Sequence, residues 1–145
     1  MGARRAPTRS PSHWLIVATI FLDTSVLIDV MRGRAAAERL RSLRVTGITA
    51  AVCAINVDEL WRGIRRDEDS ALVRLIRGMS VVPLRNEEGE RAGRWRRDYR
   101  SRGITLGQAD CLIAAAAVTI NAPLATSNVS DFPMRDLVVQ DWSAG

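Results

Sequence analysis

Ile20-Phe-Leu-Asp-Thr-Ser-Val-Leu-Ile-Asp29 runs an apolar strand straight into a carboxylate, two hydroxyls and then residues that can continue as a helix. From Val17 to Leu22 the chain is nearly all apolar with β-branched members, which suits a strand covered on both faces. The first break in that run is an acid, Asp23. Ligands of open α/β sheets gather beyond the carboxyl ends of the strands, so Asp23 is a candidate site residue. The competing reading is that Asp23, Thr24 or Ser25 merely caps a helix beginning near Val26. The rest of the chain has to decide between the two.

Outward from this stretch, strands and helices alternate. A short helix from Val26 to about Met31 breaks at Arg32-Gly-Arg34 and resumes over Ala35 to Leu43, forming a crossover to a second strand at Ile48 to Ile55. Asn56-Val-Asp-Glu59 then opens a helix through about Arg66, and another runs from Asp69 to Ile76. Ser80 to Leu84 reads as a third strand, followed by a long polar helix capped by Asn86 and ending near Arg102. After a loop at Gly103 to Gly107, apolar residues recur every three or four positions from Gln108 to Ile120, and on other faces too, which predicts a deeply buried helix. Leu124 to Thr126 is a fourth strand, and Leu137 to Gln140 a short last one at an edge. Such alternation predicts an α/β/α sandwich with a mainly parallel sheet of four to five strands. Two helices in series before the fourth strand cannot both cross the sheet, so the long polar one is expected to stand off from it.

Composition narrows the class. The chain has 145 residues, 47% of them hydrophobic, and a formal charge of +5 carried wholly by arginine, since it has no lysine. Residues 1–15 read as a disordered N-terminal extension and 16–145 as one domain. Cys53 and Cys111 have no metal-type spacing and read as buried thiols, while the single histidine, His13, lies in the polar tail. Trp14 to Leu22 is too short to span a bilayer and no small-residue cleavage site follows it. A cytoplasmic protein with no membrane association is expected. In the long helix, Glu87, Glu88 and Glu90 come first and Arg94, Arg96, Arg97, Arg100 and Arg102 come last. That order complements the helix dipole. A solvated basic face therefore explains the arginines at least as well as a nucleic acid or an acidic partner does.

Right-handed crossovers bring strand ends and helix starts to one rim, and four acids belong there: Asp23, Glu59, Asp110 and Asp131. Asn56 and Glu59 have capping-box spacing, a structural role for that glutamate. Asp110 is the only charged residue between Arg102 and Asp131, set at the start of a buried helix. The helix dipole is worth about 0.3 to 1 kcal/mol, small against the several kcal/mol that desolvating a charge can cost, so Asp110 needs a partner. Converging carboxylates repel unless a cation neutralises them. Oxygen ligands suit Mg²⁺, with Mn²⁺ as a substitute, and a carboxylate-held metal on an arginine-bearing surface points to phosphodiester hydrolysis.

Four segments carry a resemblance. Phe21-Leu-Asp-Thr-Ser-Val-Leu-Ile-Asp29, Asn56-Val-Asp-Glu-Leu-Trp-Arg-Gly63, Asp110-Cys-Leu-Ile-Ala-Ala115 and Ala125-Thr-Ser-Asn-Val-Ser-Asp-Phe132 resemble PIN-domain ribonucleases, specifically the VapC-type toxins of toxin-antitoxin pairs. The likeness extends from Ile20 to Trp142. It implies a PIN-like sandwich and a Mg²⁺-dependent endoribonuclease acting on structured RNA, commonly transfer or ribosomal RNA. It also implies a homodimer neutralised by a cognate VapB-type antitoxin. Asp23 and Asp110 would be direct metal ligands, and Glu59 would bind through water or position the nucleophile. Thr24, Ser25 and Asn128 would orient carboxylates or contact a phosphate. Either Asp131 or Asn128 would complete the site. Two other classes compete: a non-catalytic RNA-binding module that keeps the fold, and a phosphoacceptor using Asp23 as nucleophile. The first would be favoured by loss of Asp23, Glu59 or Asp110, all of which are present; the second usually needs a lysine or a second acid where Ser25 stands.

Overall fold

Successive side chains of a strand point to opposite faces, and the central strand here buries both. In the computed structural model, which describes residues 18–143, β1 (Thr19–Leu22) turns Phe21 into one core and Ile20 and Leu22 into another. Ala51 and Cys53 of β2 (Thr49–Cys53) join Phe21, while Ala50 and Val52 join Leu22. With β3 (Ser80–Val82), β4 (Leu124–Thr126) and β5 (Val139–Asp141) they form a five-stranded sheet in the order β3-β2-β1-β4-β5, every pairing parallel. The expected sandwich is thus present with a fully parallel sheet, and the last strand lies at its edge.

Six helices among the described residues supply the outer layers. On the Leu22 side lie Val26 and Leu27 of α1 (Thr24–Met31), Leu40 of α2 (Ala35–Val45), Leu60 of α3 (Ala54–Gly63) and Leu72 of α4 (Asp69–Arg77). The Phe21 side is covered by α6 (Gln108–Thr119), whose Ala114 to Ala117 are fully buried. The long polar helix α5 (Asn86–Arg100) packs chiefly along α6 rather than on the sheet, as its placement in the chain required. It is tied down at both ends. The Tyr99 hydroxyl donates to the Pro133 carbonyl at 2.9 Å, and the Glu88 carboxylate accepts from Arg85 N and from Thr119 Oγ1, each at 2.7 Å.

Several boundaries differ from the sequence reading, each for a local reason. Helix α1 starts at Thr24, two residues early, because Asp23 caps it. Strand β2 ends at Cys53 rather than Ile55, and α3 begins at Ala54 because the Asn56 side chain reaches back to Cys53 N at 2.8 Å. Asn56 therefore serves as the third helical residue, not as the cap, and Glu59 lies beyond the first turn with no part in a capping box. The same shift occurs at α5: Arg85 is the cap and Asn86 the first helical residue, because Glu88 bonds back to Arg85 N. The third strand stops at Val82 rather than Leu84. The last strand starts at Val139, since Leu137 is buried in the preceding turn. The reading of residues 1–15 as an extension and of Val17 as a strand residue falls outside the described residues. Among the described residues no helix is long and apolar enough to cross a membrane.

Glu88 is fully buried. Burial would raise its pKa, but the Thr119 hydroxyl, the Arg85 N–H and the Arg85 guanidinium outweigh that and hold it below the ordinary value. The stability it contributes is present above the unfolded pKa of about 4.3 and is lost as pH falls through the lower folded value. Glu88→Ala leaves the Arg85 N–H without its partner and is expected to cost about 2 kcal/mol, measured as a lower urea midpoint at pH 7. An unchanged midpoint would show that the Glu88 carboxylate, which also accepts from Thr119, does not hold α5 on α6.

Candidate active site

Parallel pairing fixes which residues meet on the rim. Leu22 is in register with Ala125, so the next residues along, Asp23 and Thr126, stand side by side at the strand ends. Asp23 N donates to Ala125 O at 2.9 Å, and Thr126 Oγ1 donates to Asp23 Oδ2 at 2.7 Å. The same Oδ2 accepts from Ser25 Oγ at 2.9 Å, while Oδ1 accepts from Thr24 N, also at 2.9 Å, as the cap of α1. Asp23 is therefore both the helix cap and a rim carboxylate. The cap reading of its sequence context holds, and the same carboxylate stands at the strand ends.

Glu59 reaches the same place through a relay of side chains. Asn56 Nδ2 donates to Thr24 Oγ1 at 3.0 Å, and that hydroxyl donates on to Glu59 Oε1 at 2.6 Å. Asn56 is completely buried, and besides its bond to Cys53 N it donates to the Leu22 carbonyl at 3.3 Å. It thus joins the end of β1, the end of β2 and the two helices that follow them.

Asp110 enters from the first turn of α6. Gly107, which precedes that helix, allows the approach: a Cβ there would lie 3.3 Å from Asp110 Oδ2. Burial, and then the charges of Asp23, Asp131 and Glu59, push the Asp110 pKa up to about 6. The other three acids expected on the rim thus all act on Asp110. Asp131 ends a single 3-10 turn (Val129–Asp131) and is exposed. Asn128 is exposed as well, and its backbone N–H donates to Thr126 Oγ1 at 3.0 Å. Of the two residues that could complete the site, Asp131 is the one whose charge reaches Asp110.

None of these four carboxylates is paired with an arginine; the ion pairs among the described residues all lie elsewhere. No three Asp, Glu, His or Cys side chains among the described residues are gathered into a ready metal cage. The chemistry of the donor set nevertheless fits a hard divalent cation: it is all oxygen, it lacks a protein counter-charge, and one member is driven toward protonation by burial and then by the rest. Two polar contributors escaped the sequence reading, Thr126 as a donor to Asp23 and Asn56 as the relay. Thr126 could have been found by the signal that exposed Asp23, a polar residue ending an apolar parallel strand.

Comparison with known proteins identifies the family. The family model described as PIN domain matches residues 20–133. Ribonuclease VapC10 of Mycobacterium tuberculosis is 38% identical over 116 residues, covering 79% of this chain and 86% of that protein. Ribonuclease VapC19 of the same organism is 34% identical over 114 residues, covering 78% and 91%. Among solved structures, VapBC-1 from nontypeable Haemophilus influenzae superposes with a TM-score of 0.71 at 27% identity, covering 86% of this chain and 98% of that one. The chain belongs to the PIN-domain family and, within it, to the VapC proteins.

Proposed function

We propose that this chain is a divalent-metal-dependent endoribonuclease, the toxin of a VapBC-type pair, that hydrolyses RNA phosphodiester bonds on the acidic rim. The observation that carries this reading is the convergence of Asp23, Glu59, Asp110 and Asp131 with no arginine among them and Asp110 driven up to about 6. Asp23 and Asp110 are the direct ligands in this reading, Glu59 binds through water or positions the attacking water, and Asp131 is the fourth acid. Bound Mg²⁺, or Mn²⁺ in its place, would supply an activated water and neutralise charge at the phosphate. The protein's own part is orientation. Thr24, Ser25 and Thr126 spend their hydroxyl protons on carboxylates, so the acids' lone pairs are aimed before anything binds. A phosphoacceptor role for Asp23 fits less well, because its Oδ2 already accepts two hydroxyls.

The same reading extends to partners: a VapB-type antitoxin, a second copy of the chain, and a transfer or ribosomal RNA as substrate. Support for the antitoxin comes from a small pocket of about 40 Å³ lined by Ile28, Met31, Leu60 and Ile64 and bordered by Glu59, with Ile28 exposed beside it. One apolar side chain of a partner could enter there.

Asp23→Asn and Asp110→Asn are each expected to abolish Mg²⁺-dependent cleavage of total cellular RNA while circular dichroism stays native. Intact cleavage in either would remove that residue from the site. In Glu59→Gln the amide can still accept the Thr24 hydroxyl, so only the charge is lost; a rate reduced at least about tenfold is expected. Full activity in this variant would reduce Glu59 to a structural role.

Asp110 also predicts a pH dependence. Its folded pKa lies above the unfolded value of about 3.9, so between about pH 4 and 6 the folded protein keeps a proton that the unfolded chain has lost. Unfolding free energy therefore falls as pH rises through that window, and the whole penalty is present above it. With EDTA at pH 7, Asp110→Asn is expected to be more stable than the parent by about 1 to 2 kcal/mol, and the two converge toward pH 4. Parallel stability curves would show that Asp110 is not strained by its neighbours.

A further inference from the structure

The arginines of α5 divide into two sets around the helix, and the division is not explained by the order of charges along it. On one face, Arg94 meets Glu90 at 3.0 Å and Arg91 meets Asp136 at 3.4 Å, in a groove that Glu87 and Asp98 also line. Every arginine there has an acid at hand. The other face forms a second groove of about 230 Å³ lined by Gly93, Arg96, Arg97, Arg100, Thr105 and Leu106, with no carboxylate in its walls. Arg96 and Arg100 have no ion pair among the described residues, and Arg97 has only the adjacent Asp98 at 3.6 Å. Arg96 and Arg100 stand one turn apart, where like charges oppose helix formation. The helix dipole favours cations in the last turn, but it acts along the axis and cannot select a face.

The groove borders the loop that precedes Asp110. Its wall at Thr105 and Leu106 is followed in the chain by Gly107, which lies against Asp110. A polyanion approaching four carboxylates is repelled by them, so its binding energy must come from cations beside the rim. Guanidinium groups grip phosphates in bidentate fashion, and the exposed Thr105 hydroxyl can add a further donor.

Resting on the nuclease reading above, we propose that the groove walled by Arg96, Arg97 and Arg100 holds the sugar-phosphate backbone of the RNA strand flanking the bond that is cut. The contact is to phosphates, so it positions the strand and carries no sequence preference.

The test is the binding of a short fluorescein-labelled single-stranded RNA, followed by anisotropy in EDTA so that cleavage does not intervene. The paired variant Arg96→Ala with Arg100→Ala is expected to weaken binding about tenfold or more and to lower the salt slope by about one to two. Gly93→Glu brings a carboxylate into the groove without a clash, since nothing lies within 4 Å of a Cβ at that position, and is expected to weaken binding as well. Gly93→Ala and Arg94→Ala are expected to bind as the parent does. Unchanged affinity and salt slope in both groove variants would overturn the proposal. So would RNA binding that is retained while capture of an acidic protein partner is lost. If RNA binding falls as expected but no variant, nor the parent, cleaves RNA with any divalent ion, the groove stands and the nuclease reading falls.

Discussion

One carboxylate joins most of the rim. Asp23 sits where the central strand ends, and its two oxygens and its N–H are all bonded, to α1 through Thr24 and Ser25 and to β4 through Thr126 and Ala125. The cap also orients the carboxylate, because the bond that satisfies the first turn of α1 fixes the plane of the Asp23 carboxylate. The arrangement depends on register. A slip of one residue between β1 and β4 would turn Thr126 to the other face of the sheet and leave Asp23 without its second hydroxyl. Burial of Phe21 on one face and Leu22 on the other opposes that slip.

Gathering acids costs stability, and the cost is met by packing away from the site. Asp110 is the only charge on α6, and the middle of that helix is buried, with Cys111, Ile113 and Ala114 to Ala117 inaccessible to solvent. Small side chains let the sheet and α5 press on the helix from both sides, so α6 cannot rotate to move its acid away from Asp23. At the opposite end of α6, Thr119 donates to the buried Glu88 of α5. The burial and the repulsion that raise the Asp110 pKa are therefore held in place by apolar packing and by one well-satisfied carboxylate. This is the usual relation between a strained site and its scaffold.

The parallel sheet, its edge strand and the stand-off of the long helix were legible from hydrophobic runs and from the number of helices between strands. All four acids were legible as rim residues because a right-handed parallel topology leaves strand ends and helix starts nowhere else to go. Local hydrogen bonding was the weak point. Asn56-Val-Asp-Glu59 and Asn86-Glu-Glu-Gly89 both look like helix starts with asparagine as cap, yet in each case the true cap lies upstream and is satisfied by a side chain three residues later. Polar residues near a helix start can serve from more than one position, and spacing alone does not distinguish them. The relay from Asn56 through Thr24 to Glu59 was invisible for a different reason. It joins residues more than thirty positions apart, and only the folded register makes them neighbours.

The acids and the arginines are parts of one electrostatic problem. A formal charge of +5 attracts a polyanion in general, but charges are screened beyond about 8 Å at physiological ionic strength. Arginines on α2 or α4, across the sheet from α6, therefore cannot offset the repulsion a phosphate meets at the rim. Only cations bordering Asp110 can. The α5 arginines of the second groove are the candidates for that role, because α5 packs along α6 instead of on the sheet. The long helix that did not fit a simple strand-and-helix count is, for this reason, the element on which the proposed backbone contact rests.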